Sequence, residues 1–133
     1  MLGALALMTS CAAPMIKSDS VRSMVELMDK RVDAYALADP ALTDESRAAT
    51  MALGDATLAL LDSGDEVEAK VLELHVQPLY KSETAYTLAD STLTPRMRES
   101  FLRSGLLILT ICARAQGATD PSPPFIPGLD MAR

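Results

Sequence analysis

The stretch Ala34-Tyr35-Ala36-Leu37-Ala38-Asp39-Pro40-Ala41-Leu42-Thr43 recurs 51 residues later as Ala85-Tyr86-Thr87-Leu88-Ala89-Asp90-Ser91-Thr92-Leu93-Thr94. Seven of the ten positions are identical, and no gap is needed. The register extends outward on both sides. Val25/Val76, Met28/Leu79 and Lys30/Lys81 precede the phrase, and Arg47/Arg98, Gly54/Gly105 and Leu58/Leu109 follow it. Chance in a chain rich in Leu and Ala produces a few such matches, but not this set. A fixed period of this kind marks a duplicated supersecondary unit, and the residues of the phrase suit a helix end followed by a tight connection.

On either side of the phrase, each copy reads as a helix, a turn and a second helix. In the first copy Val21, Met24, Val25, Met28, Val32 and Tyr35 recur at helical spacing, and Ser18, Asp19 and Ser20 offer N-cap oxygens. Pro40 drives the residue before it out of the helical region, which ends this helix near Ala38 or Asp39. Thr43 caps a second helix whose first turn carries Asp44 and Glu45, where the helix dipole favours negative charge. Met51, Gly54, Leu58 and Leu61 form its apolar stripe, and Asp62-Ser63-Gly64 ends it.

In the second copy Asp65 and Glu68 have capping-box spacing, so a third helix is expected from there. Its apolar face is Val67, Val71, Leu72, Leu74, Val76 and Leu79, and Pro78 is expected to kink or interrupt it before Leu79–Ala89. Thr94-Pro95 pairs a capping threonine with a proline at the first helical position, and a fourth helix follows to about Gln116, closed by Gly117. From Gly105 onward this helix is apolar on most sides and is expected to be the most buried.

The fold expected is therefore all-α: two tandem αα-hairpin repeats packed as a four-helix bundle, because one hairpin cannot bury its own apolar stripe. The domain limits read from sequence are residues 19–117 for the bundle, with repeat 1 at about 19–64 and repeat 2 at about 65–117. Residues 11–18 read as a tether. Residues 118–133, with Pro121, Pro123, Pro124 and Pro127, read as an extended polyproline-like tail.

Composition fits this class and narrows the function. The 133 residues hold two Phe, three Tyr and no Trp, and the apolar content is mostly Ala, Leu and Met, which favours helix over sheet. A net charge of −6 lacks the clustered Lys and Arg that phosphate binding needs, so no nucleic-acid partner is expected. No apolar stretch approaches the ~20 residues of a spanning helix. Two cysteines are too few for a disulfide framework, although a single Cys11–Cys112 bridge is open to the chain in an oxidising compartment if Cys11 is unmodified.

The amino terminus carries the one address signal. Met1 to Ser10 is a short apolar run ending in small residues, followed by Cys11-Ala12-Ala13-Pro14. It resembles the signal peptide and lipobox of bacterial lipoproteins, with Met8-Thr9-Ser10-Cys11 as the lipobox and residues 1–10 as the signal peptide. Thr9 and Ser10 match the pattern, and Met8 stands where Leu is preferred. The resemblance implies cleavage before Cys11, lipidation of Cys11, and a membrane partner reached through that anchor. Ala12 in place of Asp implies the outer membrane, facing the periplasm. No Lys or Arg precedes the apolar run, where such signals carry a basic segment, so an ordinary apolar segment at the start of a helical protein stays open beside it.

The candidate site residues are the repeated ones: Tyr35, Asp39, Leu42 and Thr43, with Tyr86, Asp90, Leu93 and Thr94. Two readings apply to them. Under pseudo-twofold packing Asp39 and Asp90 would face one another as an acid pair or cation site. Alternatively the tyrosines pack at the mouth of each hairpin, the aspartates bond nearby backbone in the turn, and the leucines plug it. The second reading is preferred. His75 is the sole histidine, with no two-histidine metal set and no obvious base for a nucleophile. Cys112, among Leu109, Ile111 and Ala113, reads as a small core hydrophobe. No catalytic residue, cofactor or metal is expected.

Three functions are weighed. The leading one is a non-enzymatic, lipid-anchored helical module of the cell envelope that works by contacting an unknown envelope protein. A lipobox-like start before a compact helical repeat is similar to the small lipoproteins of bacteria and tailed phages. That likeness would imply a lysis role of the spanin type or a superinfection-exclusion role. The alternative is a soluble cytoplasmic four-helix interaction or dimerisation module. The third is a small-ligand binder, which requires a cavity near Tyr35, Tyr86, Asp39 and Asp90.

Overall fold

The computed structural model describes residues 12–118. The signal-like segment 1–10, Cys11 and the proline-rich tail from 119 onward lie outside the described residues. The fold is an all-α four-helix bundle with one small addition. In chain order it comprises strand β1 (Met15–Lys17), helix α1 (Ser18–Ala38), helix α2 (Asp44–Asp62), strand β2 (Glu66–Glu68), helix α3 (Ala69–Ala89) and helix α4 (Pro95–Ala115).

The 51-residue register governs the whole arrangement. Met15–Lys17 and Glu66–Glu68 are themselves one period apart, and so are Ser18–Ala38 and Ala69–Ala89. The two strands pair antiparallel with Ile16 opposite Val67, its own repeat equivalent. An antiparallel pair centred on equivalent residues has a local twofold axis through its centre. The two hairpins are therefore related by a pseudo-twofold running through the Ile16–Val67 pair. Each three-residue strand offers one apolar side chain between two polar ones, and alternation points that side chain into the bundle: Ile16 and Val67 are buried.

The structure departs from the sequence expectations at several points. Within the segment read as a tether, Met15–Lys17 is a strand and Ser18 already belongs to α1. The 51-residue register accordingly extends to the strands that open at Met15 and Glu66. Asp65–Glu68 does not form a capping box. Asp65 gives its carbonyl to the Ser18 N–H at 2.9 Å, and Glu68 is an extended N-cap with no side-chain bond. The same holds at the start of α1, whose N-cap is Lys17. Ser18 Oγ donates instead to the Gly64 carbonyl at 2.8 Å, and Ser20 Oγ to that of Lys17 at 2.6 Å. Both helices are started by the ribbon, through Ser18 N–H to Asp65 and Ala69 N–H to the Pro14 carbonyl, so side-chain caps are not needed.

Helix α3 also runs without interruption through Pro78. Pro78 and Leu74, whose carbonyl loses its partner, both lie on the solvent side, where water replaces the missing bond. At the opposite end of the bundle the expected caps are present. Thr43 Oγ1 accepts from the Ser46 N–H at 3.0 Å, and Thr94 Oγ1 from that of Met97 at 3.2 Å. Helix α4 closes at Gly117, φ 97°, with the Ala118 N–H bonded to the Ala113 carbonyl at 3.0 Å, a Schellman arrangement.

The core runs between the hairpins along Val21, Val25, Met28 and Val32 of α1 and Leu72, Val76 and Leu79 of α3, with Leu102, Ile108 and Cys112 from α4 and Leu61 from α2. Helix α4 is not the most buried element: Leu107 is 47% exposed, while α3 carries the larger set of buried residues. Gly54 and Gly105 sit at the two intra-hairpin contacts. Gly54 lets the Asp29 side chain lie against α2, and Gly105 lets the Tyr80 ring lie against α4. Asp29 and Tyr80 are equivalent by the 51-residue shift, so the same close approach is built twice with different side chains.

Candidate functional site at the tyrosine end

The bundle has two unlike ends. At one, the strand ribbon gathers the start of α1, the end of α2, the start of α3 and, through a Gln116 Nε2 to Glu73 bond of 3.1 Å, the end of α4. At the other, the two copies of the repeated phrase meet. Tyr35 and Tyr86 stack there with ring centroids 5.4 Å apart and planes 4° from parallel. They are repeat equivalents, so their stack lies on the pseudo-twofold.

Each tyrosine then reaches across to the other copy. Tyr35 Oη donates to Asp90 Oδ2 at 2.7 Å, and Tyr86 Oη donates to Asp39 Oδ2 at 3.1 Å. The second oxygen of each aspartate stays in its own turn. Asp39 Oδ1 accepts from the Ala41 N–H at 2.9 Å, and Asp90 Oδ1 from the Thr92 N–H at 2.9 Å. Each aspartate thus makes the turn bond expected of an Asx residue after a helix, together with an inter-repeat bond. The two carboxylates do not pair with each other. Leu42 and Leu93 are half-buried beside their turns.

A second repeated pair, Arg47 and Arg98, bonds within its own copy on each side. Arg47 donates to the carbonyls of Ala36, Asp39 (3.0 Å) and Leu42 (3.1 Å). Arg98 donates to those of Thr87 (3.3 Å) and Asp90 (2.9 Å). Ala36 and Thr87 belong to the last turns of α1 and α3, and Asp39 and Asp90 are their C-caps, so these carbonyls lie at the negative end of each helix dipole, while Leu42 belongs to the connection that follows α1. The 51-residue register pairs Arg47 with Arg98, but their role as C-terminal caps is legible only once the helices are paired.

The electrostatics follow from these bonds. Burial, reinforced by the Asp90 carboxylate, pushes the Tyr35 hydroxyl up to about 12, and Tyr86 is raised for the same reasons by its own burial and Asp39. Hydrogen bonds from Thr92 and then Tyr35 hold Asp90 below the usual carboxylate range. Both tyrosines are therefore phenolic donors at neutral pH and Asp90 is an ionised acceptor. The tyrosine hydroxyls, the aspartate carboxylates and the two guanidinium groups are each answered by another group of the same chain.

The remaining candidates lie apart. The two grooves described, about 390 Å³ lined by Ser23, Met24, Glu26, Leu27 and Lys30, and about 360 Å³ lined by Ala49, Ala52, Leu53, Ala56, Leu74, His75 and Pro78, are both away from the tyrosines. His75 Nδ1 lies 3.0 Å from the Val71 carbonyl one turn back. Cys112 is buried and free, its thiol pushed up to about 11 by burial. Among the described residues no three His, Cys, Asp or Glu side chains come together as metal ligands, and no helix is long and apolar enough to cross a membrane.

The sequence reading missed one group altogether. Glu83 and Thr87 of α3 stand where the first repeat has Val32 and Ala36, and both are fully buried. Arg31 approaches Glu83 from α1 at 3.6 Å while donating to the Phe101 carbonyl of α4 at 2.7 Å and stacking over the Phe101 ring at 4.3 Å. The signal was present as a break in the apolar repeat positions. Comparison with protein-family models, curated proteins and solved structures finds no match for the chain.

Proposed function

We propose that this protein is a lipid-anchored, periplasm-facing helical module of the cell envelope that acts by contacting another envelope protein and not by catalysis. The observation that carries the reading is positional. Both described ends of the chain, through Pro14 and Ala118, leave from the ribbon end of the bundle, opposite the paired tyrosines. A chain acylated at Cys11 would reach the ribbon through Ala12, Ala13 and Pro14 alone, roughly 13 Å of extended backbone. The ribbon end would then sit against the lipid headgroups. Helices of 21 residues would hold the tyrosine end roughly 30 Å farther out, clear of the bilayer surface. A rigid spacer with an anchor at one end and two matched turns at the other suits protein contact, as in lysis or superinfection-exclusion roles encoded by a phage. A non-catalytic role is supported by the tyrosine end, where the tyrosine hydroxyls and aspartate carboxylates satisfy one another.

The test is the intact mass of the protein made with its native upstream region in a Gram-negative host, beside Cys11→Ser. Cleavage before residue 11 with added acyl chains, lost in the variant, is the expected result. An unprocessed chain in the soluble fraction overturns the envelope reading and leaves a cytoplasmic helical interaction module.

A further inference from the structure

We infer that the seam between the two hairpins is a proton-operated latch, closed when the Glu83 carboxyl is protonated and loosened when it ionises. This stands independently of the lipid anchor.

Glu83 is 0% exposed, and neither carboxyl oxygen has a hydrogen-bond partner. Thr87, one turn along the same face, is equally buried with its hydroxyl unpartnered. The first repeat fills the equivalent places with Val32 and Ala36, so a wholly apolar seam is compatible with the fold and the second repeat departs from it. The groups acting on Glu83 come from two helices. Arg31 and Tyr35 face it from α1, and Tyr80 lies one turn back on α3. On α4, the Phe101 carbonyl and ring hold the Arg31 guanidinium. No charged group of α2 or the strands acts on it.

The arrangement favours the neutral acid. At 3.6 Å the Arg31 nitrogen is beyond hydrogen-bond distance from the carboxylate, and its short bond goes to Phe101 instead. A buried carboxylate with one incomplete partner is costly, so the group keeps its proton. Burial raises it to about 7, and Arg31 opposes this only in part. Above that pH, ionised Glu83 must draw Arg31 away from Phe101 or admit water beside Thr87. Either change opens the junction of α1, α3 and α4 next to the tyrosine stack.

The readout is built in, because the chain has no Trp and its three Tyr are Tyr35, Tyr80 and Tyr86. Near-ultraviolet circular dichroism of the full chain, titrated from roughly pH 5 to 8.5, should show the tyrosine signal weaken with a midpoint near 7 while the helical signal persists. The unfolding equilibrium constant should rise about tenfold between pH 6 and 8. Glu83→Gln should remove the tyrosine transition. Arg31→Gln should move it to higher pH, since loss of the cation favours the neutral acid further. Asp29→Asn, inside the first hairpin, should leave the midpoint in place. A constant tyrosine signal, or a transition that persists in E83Q, overturns the latch. If E83Q does not fold, R31Q decides: a midpoint unmoved or lowered overturns it.

Discussion

Tyr35 donates its hydroxyl to Asp90 of the other repeat at 2.7 Å, and its equivalent Tyr86 returns the bond to Asp39 at 3.1 Å. A turn that would otherwise be closed locally is thereby made to depend on the partner hairpin. The repeated phrase is thus an interface between copies as much as the end of each one.

The stacked pair should behave as a coupled unit. A double-mutant cycle of Tyr35→Leu and Tyr86→Leu, read by urea unfolding, should return a coupling of about 1 kcal/mol, typical of an offset aromatic pair. Additive single effects would mean that the two rings contribute independently. Tyr35→Phe and Tyr86→Phe keep the stack and remove only the hydroxyls. Each should destabilise less than the corresponding Leu variant.

The arginine pair gives a prediction about helix ends. Arg98 gathers the Thr87 and Asp90 carbonyls, so Arg98→Met keeps much of the aliphatic stem and loses only the donors. A loss of about 1 to 2 kcal/mol is expected for leaving these carbonyls without their charged partner. Arg47→Met should match it, since the arrangement is repeated around Ala36, Asp39 and Leu42. A neutral outcome in both would show that water replaces the guanidinium freely.

The glycines separate propensity from packing. In an open helix Gly→Ala stabilises by about 1 kcal/mol. Here a Cβ at Gly54 would overlap the Asp29 side chain, and one at Gly105 would overlap the Tyr80 ring. Both Gly54→Ala and Gly105→Ala should therefore destabilise, by about 1 to 3 kcal/mol, as overpacking does. The Gly105 variant should be the worse, because the rigid ring has less freedom to move than a carboxylate. Thermal melts of the two variants side by side decide it.

Much of this was legible in the residues. The period placed both tyrosines, both aspartates and both threonine caps, and the four helices followed from apolar spacing and from Thr94-Pro95. Other features were hidden for physical reasons. A strand of three residues shows one apolar side chain between two polar ones, and Met15-Ile16-Lys17 does not differ in pattern from a tether. Its partner Glu66-Val67-Glu68 looked like a helix start because acidic residues also cap helices. Pro78 read as a break because sequence does not reveal that its turn faces solvent. The cross-repeat bonds of Tyr35 and Tyr86 needed the hairpin pairing, which no local pattern encodes. Glu83 was visible only as a missing apolar residue.

Acid stability should carry a second contribution, from the first hairpin. Asp29 is raised to about 6, first by burial and then by the neighbouring Asp33 and Asp55 carboxylates, and one oxygen each of Asp29 and Asp33 is buried without a partner. The folded state therefore holds a proton that the unfolded state releases from its ordinary value of 3.8 upward. The contribution is fully present below that value and is lost as pH rises towards about 6. In Asp29→Asn the stability curve between roughly pH 4 and 6 should flatten relative to wild type. An unchanged slope would place the proton elsewhere.

The strand ribbon makes the last prediction, and it bears on how the two copies are held in register. Ile16 and Val67 face each other on the pseudo-twofold and are 6% and 4% exposed, so each fills the core from an element of only three residues. The ribbon also supplies the bonds from Ser18 N–H to Asp65 and from Ala69 N–H to Pro14 that begin α1 and α3 without side-chain caps. Ile16→Ala should cost about 2 to 4 kcal/mol through the cavity alone. Ile16→Pro keeps some apolar volume but removes a ladder donor, and it should cost at least as much, with amide exchange quickening at Ser18 and Ala69. Protection at those two amides that survives Ile16→Pro would mean that the helices begin without the ribbon. The strands would then be a consequence of bundle packing, whereas the shared register of strands and helices points to the ribbon as the element that sets it.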